Sequence, residues 1–142
     1  MTLESFHTTL GQIVMYCQII EHDVKLIYAT MQRGDVEQNY AALERERLTL
    51  GQAVIRLEQL DRSDGRSYLG SGDYALLREI AKMRNHWCHE TFLEFIYDQN
   101  FYGSEAYRTE CRRLSADRDK LAKLYVTIEN ARLQAMRDFR RI

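Results

Sequence analysis

No proline occurs among the 142 residues, and this constrains the chain's fold more than any other feature. Proline is the residue that most reliably ends a helix, because it lacks an N–H donor and its ring clashes with the preceding turn. Without it, and with only seven glycines, long uninterrupted helices are expected, and collagen-like or linker-rich architectures drop out. The apolar spacing agrees. Phe6, Leu10, Ile13, Cys17, Ile20, Val24, Ile27 and Met31 recur every three or four residues, the rule for one buried helical face. No stretch alternates with period two long enough to make a strand.

Four amphipathic segments follow from this pattern. The first runs from Leu3 to Met31, after which Gly34 and Asp35 supply a stop and a new N-cap. The second continues to about Leu60 on Val36, Tyr40, Leu43, Leu50, Val54 and Leu57, with Arg47 interrupting the seam. Residues 61–72 hold three glycines and three serines and form the one substantial loop. Ser71 or Asp73 can cap a third helix reaching to about Asn100. Gly103 and Ser104 open the fourth, with Tyr107, Cys111, Leu114, Leu121, Leu124, Ile128, Ala135 and Phe139 as its inner positions. The expected fold is all-α, an up-and-down bundle of four long helices forming a single domain over 1–142.

Composition narrows the class. The chain is 45% hydrophobic and 29% charged, enough to bury a core and too polar for a membrane protein. Its net charge is −1, so a general basic character is missing. Residues 104–142 nevertheless carry 10 Lys/Arg against 6 Asp/Glu. Arg108, Arg112, Arg113 and Arg118 can track a phosphate backbone there, although a solvated helix face is the commoner cause. Three cysteines, at 17, 88 and 111, cannot all pair, which suggests reduced thiols and a cytoplasmic setting. No basic, apolar leader opens the chain and no window approaches a membrane span, so no membrane partner is expected.

The third segment carries the chemistry. In an ideal helix Leu77, Ile80, Met83, Arg84, Trp87, Thr91 and Phe95 share one side, while Asn85, His89, Phe92 and Ile96 share the opposite one. A helix apolar on two faces is buried twice, and a homodimer contact through it is the simplest second burial. Arg84 and His89 are five apart, which separates them by about 140° on an α-helix. A long arginine side chain, a local distortion or a two-fold axis bringing two copies together can close that gap. An arginine between apolar surfaces also needs a counter-charge, for which Glu21, Glu90 or a bound phosphate can serve. His86 and His89 are i, i+3, but no second cluster with zinc spacing accompanies them. No metal or cofactor is expected.

Arg84-Asn85-x-x-x-His89 resembles the R-x4-6-H signature of the HEPN superfamily, which favours a polar residue directly after the arginine. The resemblance implies a HEPN-like helical bundle, often homodimeric, acting as a metal-independent endoribonuclease in toxin–antitoxin or other defence systems. It gives Arg84 and His89 the role of catalytic pair and Asn85 a supporting one. Glu21, which lies beside the first helix's seam, is either a fourth member that orients Arg84 or His89 or a solvated edge residue. It further implies an RNA substrate and an antitoxin or other regulatory protein. Attack by the ribose 2′-hydroxyl on the adjacent phosphate would leave a 2′,3′-cyclic phosphate and a 5′-hydroxyl. One branch of the family has R-x4-H-x-Y, with the tyrosine modified by its antitoxin; here Thr91 stands at that position, so that mode of control is not implied. The alternative is a non-catalytic helical scaffold that binds a protein or nucleotide through the third helix, with Arg84 salt-bridged and His89 a hydrogen-bonded core or interface residue.

Overall fold

The computed structural model describes residues 1–63, 65–93 and 95–141. Among them are five α-helices and no strand: α1 (Leu3–Met31), α2 (Val36–Arg45), α3 (Leu50–Arg62), α4 (Ser71–Asn85) and α5 (Glu105–Asp138). α4 runs on into a π-helical turn (His86–Glu90), and single 3-10 turns follow at Thr91–Leu93 and Phe101–Gly103. With 29 and 34 residues, α1 and α5 extend about 44 Å and 51 Å. None of the helices is long and apolar enough to cross a membrane.

The all-α expectation holds, but the expected second helix is two. Glu46 closes α2 by donating its N–H to Ala42, and Arg47 then takes a left-handed φ of 53°, which no helix interior tolerates. Thr49 restarts the chain. Its Oγ1 accepts the Gln52 N–H at 3.2 Å and the Gln52 Oε1 accepts the Thr49 N–H at 3.0 Å, a reciprocal cap that fixes the start of α3. The third expected helix is also shorter, ending as an α-helix at Asn85 rather than near Asn100. Its N-cap is Gly70, and Asp73 accepts the Gly70 N–H at 2.9 Å. Ser104 caps α5 as expected, accepting the Tyr107 N–H at 3.1 Å.

The extra reversal changes how the chain ends. Four alternating helices would leave the last antiparallel to the first, whereas with five it runs parallel to it. Tyr107 donates to the Met1 carbonyl at 3.3 Å, the Tyr16 and Tyr125 rings lie 5.8 Å apart, and Arg141 donates to the Gln32 carbonyl at 2.8 Å. α1 is the central element, with α5, α3 and α2 packed along it and α4 seated on α3. All of its expected seam is buried except Leu10, which is half-buried, and the α5 seam is buried apart from Phe139.

Two buried carboxylates organise the parts away from the core's centre. Asp61, in the last turn of α3, is fully buried. It accepts the N–H groups of Tyr68 and Leu69 at 2.8 and 3.1 Å and the Tyr74 hydroxyl at 2.5 Å. One side chain thus ties the α3–α4 loop to both flanking helices, and burial beside this carboxylate pushes the Tyr74 phenol well up. Asp23, on α1, faces Glu129 and Arg132 of α5, with Arg132 4.0 Å away. Arg132 is forked onto Glu129, and one Asp23 oxygen has no hydrogen-bond partner among the described residues. Burial first, and then Glu129, push the Asp23 carboxyl up to about 6, while Arg132 holds Glu129 down.

Replacing Asp61 with Ala strands two backbone donors and a phenol, and should cost about 3 kcal/mol in urea unfolding, against about 1 kcal/mol for Tyr74→Phe. Asp23 keeps a proton in the folded state that it releases near pH 4 when unfolded. Its contribution is therefore most favourable at acid pH and is lost as pH rises through about 6. Asp23→Asn should stabilise the protein by about 2 kcal/mol at pH 7.5 and lose most of that advantage at pH 4.5, as read from melting curves at the two pH values.

Candidate functional site

The polar motif lies where α4 changes pitch. The Thr91 N–H donates to the His86 carbonyl, five residues back, so this turn is wider than the α-helical one of about 3.6 residues. Widening brings positions five apart round toward one side, which is what Arg84 and His89 need. Both line one cleft of about 440 Å³ together with Asn85, Ala81, Thr49, Leu50 and Gly51. Of the ways of closing that gap, a local distortion is present within a single chain.

The π turn is pinned from behind. Trp87 is buried among the core side chains, and its indole N–H donates to Asp117 of α5 at 2.8 Å. The Arg113 guanidinium lies 5.6 Å over the Trp87 ring, and Phe6 meets that ring edge-on at 6.3 Å. His86 hydrogen-bonds Glu110 through Nε2 and faces Glu90 through Nδ1 at 3.4 Å. Thr91 donates to the same Glu110 at 3.2 Å. It is buried, so position 91 is closed to solvent.

The front of the turn is less completely partnered. Arg84 pairs with Glu21 of α1 at 3.3 Å, its side chain 42% exposed. Of the acids weighed against this arginine, it is Glu21 that reaches it, while Glu90 faces His86. Asn85 and His89 are exposed, and their side chains form no hydrogen bond or ion pair among the described residues. Across the cleft stands the start of α3. The first-turn N–H groups of Leu50 and Gly51 have no acceptor within their own helix, and the positive end of the α3 dipole lies there. A guanidinium, an imidazole, an amide and a helix N-terminus therefore meet around one space, a combination suited to an oxyanion.

Of the residues singled out in the sequence, Arg84, Asn85 and His89 line the cleft and Glu21 pairs with Arg84, whereas the opposite wall was not among them. The signal was available in Thr49-x-x-Gln52, which marks a helix start. Also outside them are Glu110 and Asp117, which resemble solvated helix charges until their partners are known. The α5 arginines mostly serve local pairs, with Arg108 and Arg112 on Glu105 and Arg118 on Asp119. Beyond Thr91 the expected doubly buried stretch divides. Phe95 and Phe101 are buried, while Leu93, Ile96 and Tyr97 are exposed.

Comparison with protein-family models, with curated proteins and with solved structures found no match to this chain.

Because Trp87 is anchored by one acceptor in the core, Asp117→Ala should cost about 1–3 kcal/mol by stranding its N–H. Asp117→Asn, which keeps a carbonyl oxygen, should cost clearly less. Equilibrium denaturation followed by tryptophan fluorescence checks this directly, since Trp87 is the one tryptophan.

Proposed function

We propose that this chain is a HEPN-type, metal-independent endoribonuclease. The observation that carries the proposal is the π turn at His86–Glu90, with Arg84, Asn85 and His89 lining one cleft. His89 takes the proton from a ribose 2′-hydroxyl, and the freed oxygen attacks the adjacent phosphorus. The P–O5′ bond breaks and the 5′-oxygen is protonated, leaving a 2′,3′-cyclic phosphate and a 5′-hydroxyl. Imidazole is suited to both transfers because it titrates near neutrality. Arg84 offers a planar fork of donors to the phosphoryl oxygens as their charge grows, while Glu21 holds that fork in place from the side. Asn85 and the first N–H groups of α3 add donors on either side.

The active unit is a homodimer in which the uncovered Leu93, Ile96 and Tyr97 help bury the segment after the motif. Tyr97, at 90% exposure, is the side chain with most to gain from a second copy. A protein that restrains the activity would act at this surface or at the cleft. The same exposed patch favours a second reading, a non-catalytic module that docks a partner protein through Leu93, Ile96 and Tyr97 and uses Arg84 only for stability.

Purified protein incubated with labelled total RNA separates the two. Cleavage that persists in EDTA, leaves cyclic-phosphate ends and falls at least a hundredfold in His89→Ala and Arg84→Ala is expected from the ribonuclease. Both variants should melt close to the parent, since neither side chain is part of the core. A folded dimer that leaves RNA intact, or one whose variants cut as well as the parent, would overturn the ribonuclease reading in favour of the docking module.

A further inference from the structure

We propose that Glu110 of α5 is a positioning residue for the cleft, setting the pitch of the π turn so that Arg84 and His89 face the same space. A single atom carries the geometry. Glu110 Oε1 hydrogen-bonds His86 Nε2 and also accepts the Thr91 hydroxyl at 3.2 Å. These two donors belong to residues five apart, which on a regular α-helix would point about 140° away from each other. One oxygen receives both only where the helix is widened. His86 and Thr91 are also the residues whose backbones close the π turn, the Thr91 N–H donating to the His86 carbonyl. The side-chain bridge and the backbone bond therefore span the same interval.

Arg84 and His89 have the same spacing two residues earlier, and both line the cleft. The convergence of this front pair and that of the rear pair are one deformation met from opposite sides. The other anchors do not fix it. Trp87 on Asp117 and Arg113 over the indole hold one position of the turn, and a single fixed point leaves the pitch free. Glu110 holds two.

The acid itself is held firmly enough to impose a shape. Tyr107 and Leu114, three residues before it and four after, share its face of α5 and are buried. The Glu110 side chain is 13% exposed, and a carboxylate removed from water to this extent needs its donors. Relaxing the turn to α pitch would carry the Thr91 hydroxyl off the oxygen and leave His86 as its one donor from this segment. His86 also faces Glu90 through Nδ1 at 3.4 Å. That contact joins positions four apart, which a regular α-helix allows equally, so it does not select the wider turn.

The effect on catalysis rests on the ribonuclease reading, whereas the effect on pitch does not, and two readouts keep them apart. In isotopically labelled protein, NMR detects the scalar coupling across the hydrogen bond from the N–H of position 91 to the His86 carbonyl. Glu110→Ala should lose that coupling and gain one to the Trp87 carbonyl, four residues back, as the turn relaxes to α. Glu110→Gln keeps an oxygen acceptor and should retain the parent's coupling. Thr91→Val has nearly the same shape, removes one arm of the bridge and should shift the coupling as Glu110→Ala does, even if the alanine variant folds poorly. On an oligoribonucleotide, kcat should fall about a hundredfold in Glu110→Ala and Thr91→Val with KM within about threefold of the parent, while Glu110→Gln stays close to the parent. The proposal is overturned if folded Glu110→Ala or Thr91→Val keeps the coupling to His86. A turn that relaxes without lowering kcat, in a parent that cuts RNA, overturns it as well. A parent that leaves RNA intact but whose coupling moves as expected supports the role of Glu110 in pitch and overturns the ribonuclease reading instead.

Discussion

Burial of Trp87 with its N–H satisfied is the constraint on which the rest of the site depends. A large aromatic carrying one donor can enter a core only where an acceptor is already waiting, and Asp117 is that acceptor. A regular α-helix and a π turn differ by one residue over this interval, and the wider turn is the less stable form in isolation. It persists here because several independent contacts define it: Trp87 on Asp117, His86 and Thr91 on Glu110, and Arg113 over the indole.

That arrangement divides the segment into two sides with different chemistry. The rear is partnered, with Trp87 and Thr91 on α5 and His86 between Glu110 of α5 and Glu90 of its own turn. The front presents Asn85 and His89 without partners among the described residues and Arg84 held by a single carboxylate. Exposed polar groups of this kind add little to stability, because water already satisfies them. They are, however, held in fixed positions by a rigid rear, which is what recognition of a small anionic group requires. Glu21 has a double effect on such a ligand. It positions the guanidinium and also competes with any phosphate for it, so its charge sets how readily Arg84 is released.

Much of this was legible in the sequence, and the exceptions share a physical cause. The α1 and α5 seams, the caps at Asp35 and Ser104, Trp87 as a core residue and Glu21 as an acid within reach of Arg84 follow from periodicity and local chemistry. The break between α2 and α3 was marked by Arg47 in an apolar seam and by Thr49-x-x-Gln52, yet the flanking apolar spacing continues across it and masks the reversal. The π turn left no local mark, since Trp87, Thr91 and Phe95 are buried whether the backbone is α or π. Asp23, Asp61, Glu110 and Asp117 were illegible as structural residues because each acquires its partners from a distant part of the chain.

The two departures from regular helix meet in one place. Were the chain helical from Val36 to Leu60, Leu50 and Gly51 would lie mid-helix with their N–H groups spent on the preceding turn. The break at Arg47 instead frees them and aims the positive end of α3 across the cleft at Arg84 and His89. Left-handed backbone at a non-glycine residue costs roughly 1 kcal/mol, and the π turn adds its own cost. Both costs are offset by packing, the first by the seating of α2 and α3 on α1 and the second by Trp87 on Asp117, and the two irregularities border opposite walls of the same cleft, where their exposed donors are left to one another and to solvent.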